Sequence, residues 1–299
     1  CSEPDGFELL EEEGLDGISE EACKELEQRV QAEVVPASDL KSLTALQTLA
    51  CEHFANFREL INTNRPLSPN RVLTIGSACT GSDADLASAV AVANTLRKEC
   101  AGFGFKYVFH CEIQEDKRNW IQAFHQALGP QLQPPALGEV PCMFKDLTKL
   151  TEGQCDCYAH GTMTPQKSGK LKYKECKCDV PACDIFICCT SCKDKSNQNP
   201  TKKNQNCYDQ DFTPGGSAQT FKGMLAYMKV FKPTIVIWEN VQEVDKEVAG
   251  QGSDLDILKK QWAALLYGLQ VIYTDSLLFG TPSSRKRLYI VAYHKESPL

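Results

Sequence analysis

The sequence predicts an α/β domain built on a mostly parallel, doubly wound sheet. Short apolar runs with β-branched or aromatic character alternate with helix-length stretches over most of the chain. Strand–helix alternation of this kind is the signature of parallel βαβ units. The last two apolar runs have no helix between them, so they are expected to close the sheet as an antiparallel pair. With 299 residues, 42% hydrophobic and 24% charged, the chain is long enough to bury one large core.

The elements follow in order. Residues 1–30 carry eleven acids against Lys24 and Arg29, a net charge of −9. The whole chain carries −7, so the remainder stands at +2. The overall acidity therefore does not argue against a nucleic-acid partner, which responds to a local basic face. Residues 1–18 read as an acidic, partly disordered leader. Residues 19–66 read as helical. Leu43, Leu46, Leu49, Ala50, Phe54, Phe57 and Leu60 fall on one face, and Ser38 or Asp39 can cap the second helix. NTNRPLSPN is a linker. The chain starts at Cys1 rather than Met, as a piece of a longer chain would.

Residues 67–299 hold the α/β pattern. Strands are expected at RVLTIGSA, FKYVFHCE, CMFKDL, CDIFICC, PTIVIWEN, LQVIYTDSLLF and RKRLYIVAY. Helices are expected at DLASAVAVANTLRKEC, DKRNWIQAFHQAL, TFKGMLAYMKVF and ILKKQWAALLYGL. No apolar run reaches the length of a membrane span and no secretory signal opens the chain, so no membrane partner is expected.

In a doubly wound sheet, ligands sit beyond the carboxyl ends of the strands. The first strand runs into Gly76, Ser77, Ala78 and Gly81, the second ends at Glu112, and the short third offers Asp146. The fourth ends at Thr190-Ser-Cys192 and the fifth at Glu239-Asn240. A small-residue turn lets a ligand approach backbone N–H groups, although such glycines also serve packing alone. An acid at Glu112 suits two ribose hydroxyls, or is a solvated strand end. GSACTGSD is not G-x-G-x-x-G, and neither spacing nor composition identifies the ligand further.

The sixteen cysteines exceed what an apolar chain of this size needs for disulfides, and several fall inside strand-like runs, as buried free thiols do. A reducing, intracellular compartment is expected. Residues 151–183 form a Cys-rich insertion in which Cys155-x-Cys157 and Cys176-x-Cys178 flank a hairpin-like PQKSGKLKY. Four thiolates gathered this way would hold a structural zinc ion, with His160 or Cys183 as substitutes. The competing reading is free thiols in an exposed loop. Cys188 and Cys189 read as packed core thiols.

Asp184-x7-Cys192, Trp238-Glu239-Asn240-Val241 and Pro282-Ser-Ser-Arg285-Lys-Arg287-Leu-Tyr289-Ile-Val, taken in this order, resemble the cytosine-5 DNA methyltransferase family. The resemblance covers about Val72 to Tyr293 and implies a Rossmann-like class I methyltransferase fold, with the N-terminal helices outside it. It implies methyl transfer from S-adenosylmethionine to C5 of cytosine in DNA, with RNA as a variant, on a base flipped out of the duplex. Cys192 would be the nucleophile, Glu239 would hydrogen-bond the N3 edge, and Arg287 and Arg285 would hold the base or the loop. Ala78, Cys79, Thr80, Gly81, Glu112, Ile113 and Asp146 would bind the methyl donor.

Lys193, Lys195, Lys202 and Lys203 would lie in a mobile segment closing over the base, or in a plain solvated loop. The family has Pro before the nucleophile where this chain has Ser191, and often Gln where it has Ser283. Nine residues follow Ile290, where the family places a target-recognition region, so a further domain or partner protein is expected to supply recognition. In a eukaryote the location would be nuclear. The rival reading is a catalytically silent binding or regulatory module of the same fold.

Overall fold

The computed structural model describes residues 72–98, 102–132, 140–165, 171–197, 199–200, 206–208, 216–248, 250–279 and 283–297. The expected leader (1–18) and the expected helical segment (19–66) lie outside the described residues. So do Lys202 and Lys203.

The strands are β1 (Val72–Ala78), β2 (Gly104–Cys111), β3 (Cys142–Phe144), β4 (Gln154–Pro165), β5 (Leu171–Asp179), β6 (Ile185–Cys188), β7 (Ile235–Asn240), β8 (Tyr267–Asp275) and β9 (Lys286–His294). The helices are α1 (Ala84–Leu96), α2 (Glu115–Leu128), α3 (Ser217–Phe231) and α4 (Asp254–Ala264). One nine-stranded sheet runs β5-β4-β3-β2-β1-β6-β7-β9-β8. The centre, β3-β2-β1-β6-β7, is parallel. β9 slots in antiparallel between β7 and β8, so the expected closing pair forms. This is the Rossmann-like α/β order expected of a class I methyltransferase.

The insertion contributes more sheet than its sequence announced. Its C-x-C pairs lie on β4 and β5, an antiparallel hairpin that extends the sheet through Phe144↔Cys157. The α4 region also differs from the sequence pattern, which ran a helix to Leu269. A Ser253–Asp256 capping box starts the helix at Asp254. A left-handed Leu266 (φ 63°) stops it, and Tyr267 opens β8. A continuous apolar run cannot show that break, because buried helix and buried strand look alike in it.

Two packed layers cover the sheet. Leu86, Ala89, Val90 and Ala93 of α1 pack with Ile75, Phe105 and Tyr107. On the other side Phe221, Met224 and Tyr227 of α3 and Leu258 and Trp262 of α4 pack with Phe109, Phe186, Val236 and Trp238. β2 serves both layers because Ile75 pairs with Tyr107 but Gly76 with Phe109. The extra residue, Val108, reverses the side-chain phase. Phe109 then faces the α3 layer, and His110 turns back to stack on Tyr107 with centroids 4.8 Å apart. Gly76 is required by that crossing, since a Cβ there would sit 2.3 Å from the Phe109 ring.

β6 is anchored beside β1 by Asp184, whose Oδ2 accepts hydrogen bonds from Thr74 N and Thr74 Oγ1, both at 2.7 Å. Asp184 N donates back to Thr74 Oγ1 at 2.9 Å. Replacing Asp184 with Ala leaves a strand N–H without its acceptor. The expected cost is about 1–3 kcal/mol, measured as a lower denaturant midpoint at unchanged m-value.

Candidate active site

The strand-end groups Gly81, Glu112, Asp146, Cys192 and Glu239 lie at the carboxyl edge of the parallel strands, and they fall into two halves. The first half surrounds the end of β1. Cys79 and Gly81 both take positive φ (58° and 67°), so the chain turns sharply there, and Cys79 N donates to Cys111 O at 2.8 Å. Ser77 Oγ and Thr80 Oγ1 lie 3.0 Å apart and brace the turn. Glu112 is only 5% exposed, so it is not a solvated strand end. Its Oε1 accepts from Gln114 N at 3.0 Å. Arg118 holds the backbone there, donating through Nη1 to Glu112 O at 2.9 Å and Ile113 O at 2.7 Å.

Ile113 is 64% exposed beside this buried carboxylate, an apolar side chain left bare next to a polar one. Asp146 follows β3, and its Oδ1 caps the next turn by accepting from Thr148 N (2.9 Å) and Thr148 Oγ1 (2.7 Å). Two carboxylates, a tight turn and an exposed apolar side chain fit an adenosine-bearing ligand: acids for hydroxyls or an amino group, and Ile113 for the base.

Under the turn lies a cluster that the sequence reading did not single out. Asp83, with φ 58°, is fully buried, and its Oδ1 stands 3.2 Å from His110 Nδ1. Tyr107 donates to Asp85 Oδ2 at 3.0 Å. Burial pushes both carboxyls up to about 7 and lowers His110 to about 4. These groups shore up the turn from behind.

The second half surrounds the ends of β6 and β7. Burial drives the thiols of Cys188 and Cys189 far above the usual range, with Cys79 adding to the first and Glu239 to the second. They are held as neutral thiols. Cys192 lies past the strand and is half-buried. Its loop is fastened at several points. Thr190 is buried, and its Oγ1 accepts from Trp238 Nε1 at 2.8 Å and Asn240 Nδ2 at 3.2 Å. Asn240 Nδ2 also donates to Thr190 O at 3.0 Å. Ser191 N donates to Thr220 Oγ1 at 2.9 Å, and Ser217 N donates to Asp194 Oδ2 at 2.6 Å. The backbone N–H groups of Lys195 and Ser196 turn back onto Cys192 O at 3.0 and 2.8 Å.

Lys195 departs from its expected place in a mobile or solvated loop. It is buried and pairs with Asp254 at 2.7 Å. Asp254 Oδ1 also accepts from Cys207 N and Tyr208 N at 2.8 and 3.0 Å. A buried ion pair of this kind needs its extra hydrogen bonds to offset desolvation. Lys193 is exposed, as a solvated lysine would be.

Glu239 and Arg287 come together across the β7–β9 ladder, Glu239 Oε1 accepting from Arg287 Nε at 2.8 Å. Arg285 is exposed, and its backbone N–H donates to Asp275 Oδ1 at 3.0 Å. Thr190, Tyr208 and the Lys195–Asp254 pair were not found from sequence, since nothing local distinguishes a buried hydroxyl or lysine from a solvated one.

Of the expected zinc ligands, Cys155 stands apart, while Cys157, Cys178 and the expected substitute His160 come together. Cys157 and Cys178 lie together with Cys142 and His160, all four ligand atoms within 4.8 Å of one another. Cys155 instead donates to Lys149 O at 3.0 Å. Cys176 stands 3.4 Å from Cys178 Sγ and faces the Cys157 carbonyl at 3.9 Å. No helix among the described residues is long and apolar enough to cross a membrane.

Comparison with known proteins supplies the family. A sequence model for C-5 cytosine-specific DNA methylase matches residues 148–299, just over half the chain. The DNA (cytosine-5-)-methyltransferase DMT5 of Cryptococcus neoformans var. grubii is 26% identical over 259 residues, covering 86% of this chain. The chain spans 9% of that relative's length. Among solved structures, the S. pombe Dnmt2 methyltransferase aligns over 76% of this chain and 50% of its own (TM-score 0.40, 14% identity). A putative DNA modification methyltransferase of prophage Cp- from E. coli aligns over 75% and 47% (TM-score 0.41, 15% identity). The residues matched by the family model include the Cys192 loop, the Glu239-Asn240 strand end and the Arg287 strand. The chain belongs to the C-5 cytosine-specific DNA methylase family.

Proposed function

We propose that residues 67–299 form a catalytic unit that methylates C5 of cytosine in DNA through a covalent bond between Cys192 and C6 of the base. The observation that carries this reading is the convergence of three groups on one sheet edge. The Cys192 loop is fastened to β7 through Thr190, and Glu239 at the end of that strand is ion-paired to Arg287. β6, β7 and β9 are consecutive in the sheet, and adjacent strands lie about 4.8 Å apart, so their ends can address one base.

The family's cofactor is S-adenosylmethionine, which when bound supplies an electrophilic methyl group. Gly81, Glu112, Ile113 and Asp146 would hold it, with Ala78, Cys79 and Thr80 forming the turn against it. The remaining chemistry falls to this chain's side chains. Cytosine C5 is too weak a nucleophile unaided. The Cys192 thiolate adds to C6, and the ring electrons move to C5, which takes the methyl group. Loss of the C5 proton and expulsion of the thiolate restore the aromatic base. Glu239 would hydrogen-bond the N3 edge and stabilise the charge that moves into the ring as the thiolate adds. Arg287, already bonded to Glu239, would fix that carboxyl and hold the O2 side. Arg285 would hold the loop or the base beside it.

Only the thiolate attacks, so the selection of Cys192 over its neighbours has a physical basis. Cys188 is kept protonated by burial in the core and Cys189 by desolvation and the neighbouring Glu239, whereas Cys192 lies on the loop beyond the strand. Recognition of a particular site would come from a further domain or a partner protein.

Incubation with methyl donor and a 5-fluorocytosine DNA oligonucleotide is expected to give a covalent adduct on denaturing gels that Cys192→Ala abolishes and Cys189→Ala retains. Donor binding without any adduct on DNA would overturn the reading, and an adduct on RNA alone would move the substrate to RNA. Glu239→Gln should slow methyl transfer by about 10²-fold or more while leaving donor binding intact, read in single-turnover assays. Glu112→Ala should weaken donor binding about tenfold or more, because a charge-assisted hydrogen bond contributes about 1.5–3 kcal/mol. Calorimetric titration with the donor or its demethylated product measures this.

A further inference from the structure

The Cys-rich hairpin holds a group of side chains that the methyl-transfer chemistry does not use. His160 Nδ1 lies 3.6 Å from Cys142 Sγ, 3.6 Å from Cys157 Sγ and 3.4 Å from Cys178 Sγ. A tetrahedral zinc ion, with Zn–S of about 2.3 Å and Zn–N of about 2.0–2.1 Å, has sulfur–nitrogen edges of about 3.6 Å. All three observed edges sit at that value or just below it. His160 Nε2 lies 2.9 Å from Val140 O. A ring N–H donated there leaves the Nδ1 lone pair directed at the three sulfurs, the tautomer that a metal-binding histidine needs.

The chain is bent where this arrangement forms. Cys157 pairs with Cys176, but the next pair is Thr162 with Lys174. Residues 158–161 thus bulge from β4 opposite the single residue Glu175, and the bulge carries His160 to the sulfurs. Cys142 comes from a different element, the first residue of β3. The four ligands therefore join three strands, and β3 meets β4 in register only at Phe144↔Cys157.

We propose that Cys142, Cys157, His160 and Cys178 bind one structural zinc ion that clamps the β4–β5 hairpin to β3 and, through it, stiffens the methyl-donor edge of the sheet. Three thiolates and an imidazole in a closed set suit tetrahedral zinc with no open position. The link to the donor edge runs through the same bulge. Tyr158, between two of the ligands, receives the Arg118 guanidinium over its ring at 4.3 Å. Gln122 Nε2 donates to Tyr158 O at 3.4 Å. Arg118 in turn holds the carbonyls of Glu112 and Ile113. Asp146 stands two residues beyond the end of β3. The coupling to the donor rests on the assignment of those residues to donor binding, whereas the metal site does not.

The test measures zinc by elemental analysis on the full chain and its variants. Cys142→Ser, His160→Ala and Cys178→Ser are each expected to lose about one equivalent relative to wild type. Cys155→Ser and His160→Cys should keep it, the first because its thiol points elsewhere and the second because it restores a fourth ligand. Cobalt exchanged into the wild type should give tetrahedral visible bands that Cys178→Ser lacks. If the variants do not accumulate as folded protein, alkylation of the native wild type still decides. Cys142 and Cys178 should be protected until a chelator is added.

Equal zinc in wild type and the ligand variants, alkylation indifferent to the chelator, or a disulfide among the three cysteines would overturn the site. Removing the zinc should weaken donor binding about tenfold, within the usual range for coupled sites. Unchanged donor affinity after zinc loss would overturn the clamp. Failure of zinc-loaded protein to bind donor at all would instead count against the donor-site reading, with the zinc measurement standing on its own.

Discussion

Thr190 is the joint that fastens the loop after β6 to β7. Its buried hydroxyl accepts from the Trp238 indole and the Asn240 amide, and its carbonyl accepts from Asn240 again. Displacing the loop would leave two buried donors unsatisfied, at about 1–3 kcal/mol each. The polypeptide therefore leaves β6 along a set path, and Cys192 follows two residues later. On the far side the loop is held by Asp194 at the start of α3 and by Lys195 against Asp254 of α4. A side chain on a loop gains its positional precision from such fastenings, since nothing in the loop backbone itself supplies it.

The sheet separates the two groups of residues. Strands β1, β2 and β3 present the turn, the buried Glu112, the exposed Ile113 and Asp146. Strands β6, β7 and β9 present the thiol loop, Glu239 and Arg287. Because β1 and β6 are neighbours in register, the two halves meet where the chain crosses from one wing of the sheet to the other, the place where open α/β sheets bind their ligands. Of the crowded cysteines Cys188 is buried in the core, while Cys189, beside Glu239, and Cys192, on the loop, are partly exposed.

Much of this was legible in the sequence. Alternating apolar and amphipathic runs located the central strands and helices, and the residue at the end of each run placed the candidate groups on one edge of the sheet. What could not be read was anything set by a pairing distant along the chain. The reversal of phase at Val108 arises only because β1 lies beside β2 in that register. The stop at Leu266 depends on a local left-handed conformation inside an unbroken apolar run. The insertion was legible as cysteine-rich and hairpin-like, but the two regular C-x-C pairs do not coincide with the cluster that forms. Cys142, twelve residues before β4, and His160, carried on a bulge, replace Cys155 and Cys176 in it.

By itself the sequence determined the fold class, the chain order of the chemical groups and the edge of the sheet on which they lie. Hydrophobic periodicity and strand polarity are local properties, and they suffice for that. The tertiary structure alone decided which polar groups are buried and paired: Thr190 with β7, Lys195 with Asp254, and Asp83 with His110. Each of those pairs joins residues that are far apart in the chain or placed by a distortion of a strand, and their chemistry follows from desolvation, a quantity no residue carries until the chain around it has folded.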